Sequence, residues 1–208
     1  MQATLDATRD SVGDLVSATP DVSRRTDPDG DVIELVAHGQ VRAALVELMQ
    51  RYGDAVYRYC CEALHDVTLA DDVHQLVFIG AFRDLPGFRG RSTVRTWLFA
   101  IARHRVLDAA KRRRRAHAHI EQVEAVDAPS LAPSPTELID DTRVRQALVA
   151  SLGELGDVAR TAVLLRYQQG FSFEEMAEIC REKPDTLRAR VARALPLLRA
   201  GIERRVAR

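Results

Sequence analysis

Residues 171–199 read FSFEEMAEICREKPDTLRARVARALPLLR, and few folds accommodate that order of signals. Ser172 and Glu175 form an S-x-x-E pair, in which side chains satisfy the first free N–H groups of a helix. The helix they start, over 173–181, buries Phe173 or Met176 together with Ala177 and Cys180. REKP then supplies a brief turn. Pro184 suits the first turn of the next helix, where a missing N–H is no loss. Leu187, Val191, Ala194, Leu195 and Leu198 recur at spacings of three and four, so they form one apolar stripe. Arg188, Arg190, Arg193 and Arg199 cover the remaining surface. A short helix, a tight turn and a second helix with arginines in its first turns is helix-turn-helix geometry.

The rest of the chain repeats the helical period. Val41, Leu45, Leu48, Tyr52, Val56 and Cys60 share one helix face. A second helix fits 69–83, with Val73, Leu76, Val77, Gly80 and Ala81 turned inward. DLPGFRGRST breaks it with one proline and two glycines. A third fits Val94 to Arg113, with Trp97, Leu98, Ile101 and either Val106 or Leu107 inward, which places the basic run at its C-terminal end. Beyond it, helices fit Asp141–Leu152 and Asp157–Gln168, the latter closing at Gly170. The expected fold is therefore all-α: two small helical domains joined by a flexible, acidic, Pro-rich linker, the second a helix-turn-helix domain. The expected boundaries are a disordered extension over 1–30, a first domain over 31–115, a linker over 116–137 and a second domain over 138–208. Pro196 falls inside the last helix and is expected to kink it or end its straight part.

Charge is segregated along this plan. The chain balances 30 basic against 30 acidic residues. Yet residues 83–115 hold eleven bases and two acids, five of them in the run Lys111–Arg115, whereas 116–141 hold six acids and no base. One or two cations would satisfy a helix macrodipole; five adjacent ones repel each other. Two basic segments divided by an acidic spacer point to a polyanion partner. The second helix of the helix-turn-helix can enter the major groove, where arginine bonds guanine in bidentate fashion and its neighbours hold phosphates.

Three stretches, in this order, resemble the extracytoplasmic-function (ECF) sigma factors of bacterial RNA polymerase: ADDVHQLVFIGAFRDLPGFRG (70–90), TWLFAIARHRVLDAAKRRRR (96–115) and DTLRARVARAL (185–195). The resemblance implies that Asp71, Asp72, Gln75 and Phe78 dock on the clamp coiled coil of the largest core subunit, while the second domain meets the flap of the second-largest. It implies that Phe88, Arg89, Arg91, Ser92, Thr93, His104 and Lys111, Arg112, Arg113, Arg114 and Arg115 face the minus-ten element. It further implies that the last helix reads the minus-thirty-five element, with Arg188 and Arg193 on bases, Ala189 and Ala192 close to them, and Lys183, Thr186 and Arg190 on phosphates or supporting the helix. The acidic linker would thread into the polymerase channel. An anti-sigma partner covering both basic faces is also implied. The chain departs from the family pattern at His104, where Asn is common, at Leu76, where an acid is usual, and at Lys183, where a small polar cap is usual.

Other classes fit less well. His65, Asp66, Asp71, Asp72 and His74 suggest a metal phosphohydrolase, but His65–Asp66 more simply end one helix and begin a turn, and the other histidines lie on separate elements. Neither a G-x-x-x-x-G-K-[ST], a G-x-S-x-G nor an H-E-x-x-H motif occurs, so no enzyme, cofactor or metal is expected. Cys60, Cys61 and Cys180 read as reduced, mostly buried thiols of a cytoplasmic protein. No apolar run reaches the roughly 20 residues that span a bilayer, and the N-terminus lacks a signal-peptide pattern. The nearer rival is a stand-alone helix-turn-helix regulator that binds an operator unaided.

Overall fold

A computed structural model describes residues 29–120 and 139–207. The extension over 1–28 and the linker core over 121–138 lie outside the described residues. Among the described residues there are helices and no strand. In the first half these are α1 (Gly30–Ala37), α2 (Val41–Leu64), α3 (Val67–Asp84), a 3-10 turn (Leu85–Gly87) and α4 (Val94–Ile120). The second half holds α5 (Ile139–Glu154), α6 (Asp157–Val163) with a π turn (Leu164–Gln168), α7 (Phe173–Cys180) and α8 (Pro184–Val206).

Local chemistry explains most of the boundaries. Gly39 takes a left-handed φ of 73° and ends α1, as glycine does without steric cost. His65 ends α2 in the same left-handed region, at φ 52°. The next residue, Asp66, caps α3 by accepting the Leu69 N–H at 3.0 Å. Thr93 caps α4: its hydroxyl accepts the Thr96 N–H at 3.1 Å and donates to the Thr96 hydroxyl at 2.9 Å. The Ser172–Glu175 capping box forms in full. α1 lacks a side-chain cap, because the Asp29 carboxylate turns inward instead. It is fully buried, accepting the Tyr52 hydroxyl at 2.8 Å and the Arg51 guanidinium at 2.7 Å. Asp29 is thus a structural anchor, whereas the sequence placed it in the disordered extension.

Two expectations about the helices need correcting, the end of α4 and the inward place of Leu76. α4 continues to Ile120, so the basic run lies within a helix and not at its end. Val106, not Leu107, faces the core, and Phe99 joins it there. Leu76 is 40% exposed. α8 passes through Pro196 and continues to Val206. Proline forfeits one backbone bond, but the buried Ala194, Leu198 and Ile202 on either side hold the helix against its neighbours.

α2, α3 and α4 pack into the first half, and α5 and α8 cross in the second. One buried apolar cluster runs through both. At the junction Phe99 of α4 meets Tyr59 of α2 edge-on at 5.7 Å and Phe171, which precedes α7, at 5.1 Å.

Candidate nucleic-acid interface

α8 separates its two faces cleanly. Leu187, Val191, Ala194 and Leu198 are buried. Thr186, Arg188, Ala189, Ala192 and Arg193 are exposed over its first turns, and Lys183 precedes them, also exposed. Arg188 is oriented from two sides. It donates to Asp185 at 2.7 Å, and its guanidinium lies 5.1 Å from the Phe173 ring, which also carries Arg166 at 5.0 Å. Arg193 donates to the Ala189 carbonyl of its own helix at 3.2 Å. Arg190 is different: it makes two bonds to Glu182, at 2.9 and 2.5 Å, and is half-buried. That pair holds the guanidinium pKa above its ordinary value and the Glu182 carboxyl below. In this conformation Arg190 therefore supports the turn and has no free fork to offer a phosphate.

In the first half, the loop between α3 and α4 exposes Arg89 and Arg91, with Gly90 at φ 65°. Ser92 and Thr93 are half-buried, and the Thr93 hydroxyl is engaged as a helix cap. Phe88 is half-buried against Trp97, with ring centroids 5.4 Å apart. The pair is a partly open aromatic step, neither a sealed core contact nor a free wedge. His104 points outward one turn from Asp108, at 3.7 Å. The Lys111–Arg115 run divides by helical position. Lys111, Arg112 and Arg115 are exposed, with no ion pair among the described residues. Arg113 turns back to donate to the Leu64 carbonyl at 2.7 Å. Arg114 pairs with Asp157 of α6. In this conformation Arg113 is a fastener of the fold, a role that a charge count does not reveal.

On α3, Asp71, Asp72 and Gln75 are exposed. Phe78 is not: it is 5% exposed and packs edge-on to His74 at 5.1 Å. Beyond Val67 at its start, the exposed large apolar side chains of α3 are instead Leu76, Ile79 and Phe82, at 40%, 63% and 41%. Their spacing of three places them on one outer stripe beside the acids. Sequence periodicity put Leu76 inside, and only the helix's rotation against α2 and α4 reveals the stripe.

Burial also explains the thiols. Cys60 is pushed up to about 12, chiefly by desolvation, and Cys61 and Cys180 are raised for the same leading reason. All three are free. No group of three or more potential metal ligands occurs among the described residues. Among the same residues no helix is long and apolar enough to cross a membrane.

Comparison with known proteins matches this layout half by half. The Sigma-70 region 2 family covers residues 48–116, and Sigma-70, region 4 covers 145–198. The ECF RNA polymerase sigma factor SigC of Mycobacterium tuberculosis is 35% identical over 146 residues, spanning 67% of this chain and 74% of that protein. The ECF RNA polymerase sigma-E factor of Escherichia coli K12 is 31% identical over 176 residues, 80% of this chain and 90% of that protein. The chain belongs to the ECF sigma factors. Among solved structures, the sigma factor RpoE of Bartonella quintana, crystallised with the anti-sigma factor NepR, superposes with a TM-score of 0.65. The two share 23% identity, with 76% of this chain and 95% of that one covered. CnrH, in complex with the cytosolic domain of CnrY, superposes at 0.61, again at 23% identity, over 84% and 97%. As an ECF sigma factor, the protein directs RNA polymerase to promoters through two helical modules, and the reading as a stand-alone regulator falls.

Proposed function

We propose that the two modules divide promoter recognition between the exposed turns of α8 and the cationic surface of the α3–α4 loop and α4. The observation that carries this is the split of α8, with every candidate reader except Arg190 on the solvent side of a buried apolar stripe. Arg188 and Arg193 contact bases of the minus-thirty-five element, Ala189 and Ala192 permit close approach, and Lys183 and Thr186 hold phosphates. Arg89, Arg91, His104, Lys111, Arg112 and Arg115 surround the minus-ten element, with Phe88 and Trp97 as a stacking step for an opened base.

The outer stripe of α3 docks on the polymerase clamp through Leu76, Ile79 and Phe82, ringed by Asp71, Asp72 and Gln75. Phe78 supports that helix from within. The second half meets the flap of the second-largest subunit. The protein works in the cytoplasm as a non-enzymatic initiation factor. The complex of the neighbouring RpoE with the anti-sigma factor NepR supports an anti-sigma partner here as well.

In-vitro transcription with core polymerase, with and without the protein, tests the reading. Promoter-specific starts are expected only with it, and Arg188→Ala is expected to relax preference at one minus-thirty-five position by about 1–3 kcal/mol. Failure to associate with core polymerase, together with unaided operator binding, would overturn it.

A further inference from the structure

α4 carries a second stripe that faces the other half of the chain. Arg95, Phe99, Arg103, Val106, Ala110 and Arg114 follow one another at spacings of three and four, along one side of the helix. Every charged member of this stripe is engaged by the other half of the chain. Arg95 donates to the Gln169 carbonyl and lies 3.9 Å from the centroid of the Phe171 ring. Arg103, with only 13% of its side chain exposed, pairs with Glu182 at 3.4 Å. Arg114 pairs with Asp157. Phe99 meets Phe171 between them.

The acceptors are not incidental surface groups. Glu182 is the turn residue of the helix-turn-helix, and the same carboxylate grips Arg190 of the reading helix. Asp157 opens α6 and also holds Arg160, itself 4% exposed, at 2.5 Å. Two carboxylates of the second half therefore occupy three arginines, Arg103, Arg114 and Arg190, on the two helices assigned to DNA. A carboxylate offers a guanidinium the same planar pair of acceptor oxygens that a phosphate does.

We propose that Glu182 and Asp157 act as internal stand-ins for promoter phosphates, latching the two halves into a self-masked state. The inference rests on the reading of α4 and α8 as promoter-facing. In the latched state Arg103 and Arg190 are withheld from a polyanion, Arg114, 64% exposed, is partly neutralised by Asp157, and the two modules are held too rigidly to adjust their separation on DNA. The binding-competent state is then only a fraction of the population, and apparent DNA affinity is reduced by that fraction. Promoter DNA competes for the same guanidiniums and so favours the open form, as any ligand does that binds one of two states better.

The test uses the full chain and two neutralising variants on opposite sides of one pair, Glu182→Gln and Arg103→Gln. Each removes a half-buried ion pair, so seam opening should become about two- to five-fold more favourable. Amide hydrogen exchange reads this directly. Exchange at 169–171 is expected to accelerate by that factor in both variants, while exchange in α1, which packs chiefly on α2, stays unchanged. Should one variant fail to fold, the other carries the test. Binding to a 30-base-pair duplex of arbitrary sequence is the second readout. Glu182→Gln is expected to bind more tightly than wild type by more than Glu34→Gln, an exposed change of equal charge remote from the seam. Unchanged exchange at 169–171 in folded variants, or an affinity gain no larger than that of Glu34→Gln, would overturn the latch. Loss of promoter-specific transcription would overturn instead the underlying assignment of the two helices, and exchange does not depend on that assignment.

Discussion

At the scale of single residues, His65 shows how much one side chain owes to its surroundings. It closes α2 in a left-handed conformation. Its ring Nε2 lies 3.6 Å from the ideal Cβ position on Gly153, in the other half of the chain. Burial first, and then Arg160 and Arg113, press its pKa down to about 4, from about 6.5 in an unfolded chain. Between these values the unfolded chain holds a proton that the folded one does not. Stability from this residue is thus complete above pH 6.5 and is lost as pH falls toward 4. His65→Asn keeps a residue that tolerates the left-handed region and removes the titration. Thermal melts across pH 4–7 are expected to fall less steeply for the variant than for wild type, by up to about 3 kcal/mol at the acid end. Parallel curves would refute this. Half-buried Glu62 shifts the other way, but it is common to both proteins and cancels. Adjacent His65 and Asp66 were legible as a helix end and the beginning of a turn, though not as the cap of the next helix. The burial of His65 against a residue 88 positions away was not, because the pair has no local signature.

Among elements, α5 and α8 cross closely at Gly201. An ideal Cβ on Gly201 would sit 2.7 Å from the Ser151 hydroxyl and 2.9 Å from its Cβ. Ser151 has little room to yield: it is 2% exposed, donates to the Ala147 carbonyl at 2.6 Å and accepts from Arg205 at 3.2 Å. Gly201→Ala is expected to destabilise the chain by about 1–3 kcal/mol through overpacking, despite alanine's better helix propensity. Equilibrium denaturation measures the difference, and an alanine variant as stable as wild type would show that the helices do not approach this closely. The start of α7 was fully readable, because a capping box is local. The length of α4 was not. Its last turns are a charged segment that could end a helix or extend one, and the choice between them has no local cue.

For the molecule as a whole, segregated charge sets the partner, and packing decides which charges reach it. Arg112 and Arg115 project outward. Replacing either by alanine is expected to weaken holoenzyme binding across sequences and reduce the salt slope by about 1 per phosphate contact. Arg113→Ala is expected to lower the melting temperature with the salt slope nearly unchanged, because its guanidinium serves the Leu64 carbonyl. Affinity titrations at several salt concentrations, beside melts of the same variants, separate the two roles. Helix period, capping and charge blocks are encoded within a few residues, so the amino-acid order alone dictated an all-α chain of two basic halves and its helix-turn-helix. Which arginine meets solvent, carboxylate or ring depends on how helices far apart in the chain rotate against one another. Packing settled this: α3 against α2 and α4 buried Phe78 and exposed Leu76, and the seam bound Arg95, Arg103 and Arg114 to the opposite half.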